Sequence, residues 1–225
     1  MSRFAHKRPR RNEKPWLIIV CDGKNTEPQY FNYLRQYTLD ARICPFSINK
    51  RDIIWTWYNR KRTIQECKEI FEELKRSDDG YIEAWCVFDG DPKRDDSNHD
   101  AGFVEAVSIV EADKKPSWLN GAYSFEAFEY WFLLHFEKLD WSPMSREDYI
   151  SRLNSYLANL SPSVRYDKNS KEVSQELFQI LIERVDVAIE NAKVIDNGSW
   201  KPVWQPHLRG SITKVYKLVE RMLWR

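Results

Sequence analysis

The run Trp16-Leu17-Ile18-Ile19-Val20-Cys21 is apolar throughout and has the length of a strand, the pattern of a central strand buried on both faces. It stops at Asp22-Gly23. Thr26 then reads as a helix cap with Glu27 and Pro28 in the first turn, and Tyr30, Phe31, Leu34 and Tyr37 recur at helical spacing. A weaker strand is expected over residues 42–48, placed near a sheet edge by Pro45. Thr63 and Glu66 have the spacing of a capping box, and the helix they would open presents Ile64, Cys67, Ile70, Phe71 and Leu74 on one face. Residues 82–88 are expected to form a third strand, stopped by Asp89-Gly90-Asp91-Pro92. A helix with Phe103, Val104, Val107 and Val110 on one face follows, then a fourth short strand over residues 118–123.

Strands and helices that alternate in this way predict an α/β fold, a mostly parallel sheet flanked by helices, over residues 15–140. Residues 141–225 carry three helical patterns, at 145–158, 170–193 and 211–224, and are expected to pack as a helical cap on the same core. Residues 1–14 hold Arg3, Lys7, Arg8, Arg10, Arg11 and Lys14 against Glu13 alone, a basic flexible arm suited to phosphate contacts. No internal repeat is present.

Composition narrows the class. With 42% hydrophobic and 14% aromatic residues, including ten Trp among 225, the chain is not a disordered or low-complexity protein. No apolar run approaches the roughly 20 residues of a membrane span, and no apolar signal core follows the basic start, so a cytoplasmic location without membrane contact is expected. Cys21, Cys44, Cys67 and Cys86 are isolated from one another and from His pairs, which argues for reduced core cysteines over zinc or disulfides. The net charge of +1 excludes bulk polycationic binding, so any nucleic-acid contact must come from local patches. Besides the arm these are Lys50-Arg51 and Arg60-Lys61-Arg62, with Trp55, Trp57 and Tyr58 near enough in sequence to offer base stacking.

In an open α/β sheet the carboxyl ends of the strands share one edge, where ligands bind. The acids of this chain fall there: Asp22 after the first strand, Glu27 at the start of the following helix, Asp89 and Asp91 after the third strand, and Glu126 and Glu129 after the fourth. Carboxylates so gathered repel one another and call for a hard cation, and an all-oxygen donor set points to magnesium or manganese. His135, inside Trp131-Phe132-Leu133-Leu134-His135-Phe136, reads as a hydrogen-bonded core residue.

The segment Val20-Cys21-Asp22-Gly23-Lys24-Asn25-Thr26-Glu27-Pro28-Gln29-Tyr30-Phe31 resembles the V-C-E-G-x-x-T-E-P-x-Y-F opening of the RloB-like family. Further likenesses follow in order. They are Phe88-Asp89-Gly90-Asp91 to F-D-x-D, residues 128–136 to F-E-x-W-x-L-L-H-F, residues 166–169 to Y-x-K-N, and residues 213–220 to T-x-V-x-x-L-V-E. The resemblance implies a Toprim-like fold, the metal-binding module of topoisomerases, primases and OLD-type nucleases, in a protein of bacterial phage-defence loci. Carried over position by position, it makes Asp22, Asp89, Asp91 and Glu129 magnesium ligands, with Glu27 matching a second acid of the opening motif. Two positions depart from the pattern: Asp22 stands where the family has Glu, and Ser124-Phe125-Glu126-Ala127 replaces a Ser-Asn-Pro-like turn.

The expected activity is a magnesium-dependent nuclease in which Asp22 or Glu27 serves as general base and Lys168 holds the substrate phosphate. The alternatives are a non-catalytic Toprim-like partner or regulator of an ATPase subunit, and nucleotidyl transfer with the same ions. No Walker lysine motif or Gly-rich dinucleotide loop occurs, so any ATP dependence would come from a partner.

Overall fold

The computed structural model describes residues 16–41, 53–55, 60–77, 82–90, 97–112, 116–139, 144–170, 173–197 and 211–223. The basic arm, residues 42–52, Trp57, Tyr58 and Asp91 lie outside the described residues. Four strands, β1 (Trp16–Cys21), β2 (Ile53–Trp55), β3 (Ile82–Asp89) and β4 (Leu119–Ser124), form one sheet in the order β2-β1-β3-β4, and every pairing is parallel. Between them run α1 (Thr26–Asp40), α2 (Arg60–Ser77) and α3 (Ser97–Val110). After β4 come the short α4 (Glu129–Leu133), then α5 (Arg146–Leu160), α6 (Gln175–Ile182), α7 (Val185–Asn197) and α8 (Val215–Leu223).

Period-two alternation divides the core between the two faces of the sheet. Leu17, Ile19, Cys21, Trp85 and Val87 point to one face, covered by α1 and α4–α8; Ile18, Val20, Ala84, Cys86 and Phe88 point to the other, covered by α2 and α3. Both faces are thus dry, which is why β1 reads as an apolar run and β3 as one from Ala84 to Phe88, the buried Glu83 before it being paired with Arg221 at 2.7 Å. The first face is rich in rings: Tyr30 meets Phe31, Phe128, Phe132 and Phe178 with centroids 5.3–5.7 Å apart. His135 belongs to this core, its Nδ1–H donating to the Trp131 carbonyl at 2.9 Å, and burial pulls its pKa down to about 4. Cys21, Cys67 and Cys86 are free thiols in the interior.

The outer edge of β4 is covered by the segment that leads into α8. Lys214 N donates to Tyr123 O at 2.7 Å, Phe125 N donates to Ile212 O at 2.8 Å, and Ser124 faces Thr213 in an antiparallel bridge.

Several sequence expectations shift. The expected strand at 42–48 lies outside the described residues, and a strand that was not expected, β2, follows it. Helix α2 starts at Arg60, so Thr63 is a fully buried residue inside its first turn and does not occupy the cap position. Helix α1 begins at Thr26 with Asn25 in the cap position and no side-chain capping bond. The pattern at 170–193 is two helices, α6 and α7, broken at Glu183-Arg184, where Arg184 N turns to Leu181 O at 2.9 Å. Helix α5 matches its expectation closely: Ser145 and Asp148 form a reciprocal capping box at its start.

Candidate functional site

In the order β2-β1-β3-β4 the direction of winding reverses between β1 and β3, and a parallel sheet opens a crevice beyond the carboxyl ends of such a pair. Asp22 follows β1, tied there by its amide to Val87 O at 2.8 Å, and Asp89 is the last residue of β3. Glu27 sits in the first turn of α1 and Glu129 opens α4. These four carboxylates line one cleft of about 230 Å³, together with Lys24, Thr26, Arg146 and Lys168.

Electrostatics in the cleft are strained. Burial, reinforced by the charge of Asp89 and opposed by Arg60, pushes Asp22 up to about 7. Burial likewise pushes Glu27 up to about 8, with Asp89 and then Glu129 adding repulsion, and its own backbone amide and Arg146 opposing. Gly23 permits this crowding: a Cβ there would stand 2.5 Å from Glu27 Oε2.

Three residues that sequence reasoning left out of the site hold it together. Arg146, at the start of α5, donates from Nη2 to Asp89 Oδ2 at 2.7 Å and places Nε 3.3 Å from Glu129 Oε2. All three side chains are largely shielded from water, so the guanidinium is the internal counter-charge of the cluster. Tyr166 is buried, donates to Glu129 Oε1 at 2.8 Å and lies 3.3 Å from Thr26 Oγ1. Arg60 grips the end of β3, donating from Nε to Asp89 O at 2.5 Å and from Nη2 to Gly90 O. A signal for Tyr166 existed, since it opens the same Y-x-K-N stretch as Lys168. Arg146 carried none beyond its place in a helical first turn.

The basic cluster at 60–62 is occupied elsewhere. Arg60 serves the strand end, Lys61 pairs with Glu105 at 2.8 Å, and Arg62 pairs with Glu66 and Glu69. Glu126 takes the left-handed backbone conformation, φ 75°, in the turn that carries the chain from β4 to Glu129.

Whether the cleft suits a divalent cation can be judged from its donors. They are carboxylates, two of them raised toward neutrality by burial and then by the charge of Asp89, and an all-oxygen donor set of this kind is the type that hard cations accept. Among the described residues, however, no three His, Cys, Asp or Glu side chains stand close enough to share one ion, and Arg146 stands between Asp89 and Glu129. To be held by Asp89 and Glu129 together, a cation would have to displace the guanidinium that pairs with both.

The family model for RloB-like proteins matches residues 17–222. The chain belongs to the RloB-like family. No curated protein and no solved structure matches it. The matched span of this RloB-like chain includes every acid of the cleft together with Arg146 and Tyr166, so the family's domain takes in both the sheet and the later helices. No helix among the described residues is long and apolar enough to cross a membrane.

Proposed function

We propose that this RloB-like protein is a magnesium- or manganese-dependent nuclease with a Toprim-like site, cutting phosphodiester bonds of DNA or RNA in anti-phage defence. The observation that supports this reading most is the convergence of Asp22, Glu27, Asp89 and Glu129, drawn from four elements, in one cleft at the winding reversal of the sheet. Mutually repelling acids at one point cost stability, and a binding module gains nothing from them.

A divalent cation bound there would polarise the scissile phosphate and lower the pKa of a bound water. The chain's own residues do the rest. Glu27, buried beside Gly23, is the candidate general base once neutralisation of Asp89 and Glu129 by a bound cation has lowered its pKa and freed its carboxylate to accept a proton from the attacking water; Asp22, nearer solvent, is its alternative. Tyr166 and Arg146 fix the orientation of Glu129, and Arg60 fixes the strand end that carries Asp89. Lys168, exposed at the rim of the cleft, is placed to hold a substrate phosphate.

One observation favours a second reading. The ion pairs of Arg146 give Asp89 and Glu129 a partner without any cation, as a non-catalytic Toprim-like partner or regulator of an ATPase subunit would need. A panel of DNA and RNA substrates, incubated with magnesium, with manganese and with chelator, separates the two. The nuclease reading expects cation-dependent cleavage that drops by orders of magnitude in Asp22→Asn, Glu27→Gln and Asp91→Asn. Full cleavage by the Asp91→Asn protein removes the assignment. Absence of cleavage on every substrate, with retained binding to an ATPase partner, favours the second reading.

A further inference from the structure

Beside the acidic cleft runs a larger groove of about 680 Å³, formed by α5 and residues 165–169, and Arg146 and Lys168 line both cavities. The two spaces are therefore neighbours that share a wall. Building on the nuclease reading, we propose that this groove is a track for a phosphodiester backbone, leading a strand of nucleic acid into the acidic cleft.

The chemistry of the lining supports that occupant. Arg165 and Lys168 face it together with Glu147 and Asp167, and the guanidinium of Arg146, paired with Asp89 and Glu129, forms the wall shared with the acidic cleft. The Asp167 charge is turned onto its own turn, where Oδ1 accepts from Asn169 N at 2.8 Å. Arg165 and Lys168 are exposed, with their charged ends available to an incoming phosphate. Among the described residues no aromatic ring lines the groove, so they offer nothing for bases to stack on. Recognition would then run through phosphates alone, independent of sequence and strongly salt-dependent.

The groove is also preformed. The Asn154 amide bonds Tyr166 reciprocally, accepting from its backbone N and donating to its carbonyl, both at 2.8 Å, which pins the wall of the groove to α5. Because the Tyr166 hydroxyl holds Glu129, the same residue fixes the position of the track relative to the acids.

The test is binding in chelator, so that no cleavage intervenes. Fluorescent single-stranded RNA and DNA oligonucleotides are titrated with the full chain, with Arg165→Glu, and with Lys193→Glu. The last is a matched charge reversal on α7, outside the groove. Arg165→Glu should weaken binding about ten-fold or more at low salt and flatten the salt dependence by about one phosphate contact, whereas Lys193→Glu should change little. Polyglutamate should compete poorly. The RNA and DNA arms show which backbone is preferred, and either preference is compatible with the track. Equal binding by Arg165→Glu and Lys193→Glu, or equal competition by polyglutamate, overturns it. If cation-dependent cleavage is found while Arg165→Glu keeps wild-type affinity, the track fails and the nuclease reading stands. If Arg165-dependent binding is found without cleavage under any cation, the track stands and the nuclease reading fails.

Discussion

Glu27→Gln measures how much strain the acidic cluster imposes on the fold. In the unfolded chain Glu27 titrates at its ordinary 4.5; in the cleft it is pushed up to about 8 by burial and by Asp89 and Glu129. Between those values the native state holds a proton that the unfolded state has lost, so wild-type stability falls as pH rises through the window from about 4.5 to about 8. Taken whole, that interval corresponds to roughly 5 kcal/mol. Asp89 and Glu129 share the repulsion and Asp22 titrates over much of the same range, so one substitution should release less, roughly 2 kcal/mol. Gln keeps the shape and an acceptor oxygen without the charge. The expected outcome is equal melting temperatures near pH 4 and a variant that melts higher by about 4–8 °C at pH 9, measured by thermal denaturation in chelator. Added magnesium should then raise the wild-type melting temperature at pH 9 more than that of the variant. A variant that melts at or below the wild type at pH 9 would refute the argument that mutual repulsion and burial strain this cleft.

Four further outcomes follow from single contacts. Tyr166→Phe strips Glu129 of its 2.8 Å donor and should cost ~1–2 kcal/mol in urea denaturation, an unchanged midpoint contradicting the bridging role. Arg60→Met removes the cation that holds Asp22 down, so the Asp22 carboxyl should titrate above about 7 by NMR; a downward move would show that Arg60 acts otherwise. Glu126→Asn suits the left-handed φ of 75° better than Glu and should add ~0.5–1 kcal/mol, read from the melting temperature. Gly121→Ala would set a Cβ 2.5 Å from Val110 Cγ2 across β4 and α3 and should destabilise by ~1–3 kcal/mol, and tolerance would mean that α3 yields easily.

The sequence showed the central strands because β1 and β3 are buried on both faces, which leaves long apolar stretches, Leu17 to Cys21 and Ala84 to Phe88. It hid β2, whose three residues are too few to display any period. It merged α6 with α7, since the chain turns at Glu183-Arg184 without Gly or Pro to mark the break. It missed α4, five residues long and buried on all sides. The acids were legible because strand order alone brings their positions to one edge. Arg146 and Tyr166 were not, because they reach Glu129 only through the packing of α5 and the loop after it, a relation between elements that no local pattern encodes.

The cover on β4 sets an order of events in synthesis. Ser124 and Thr213, which bond each other at 2.8 Å, are 89 residues apart. At about 5–20 residues per second, a ribosome delivers the covering segment roughly 5–20 s after the strand it protects. Throughout that interval the open side of β4 presents bare amides and carbonyls to any extended chain nearby. Newly made copies growing side by side on one message are thus the setting in which this protein is most exposed to mispairing, and the arrival of residues 211–214 ends that hazard.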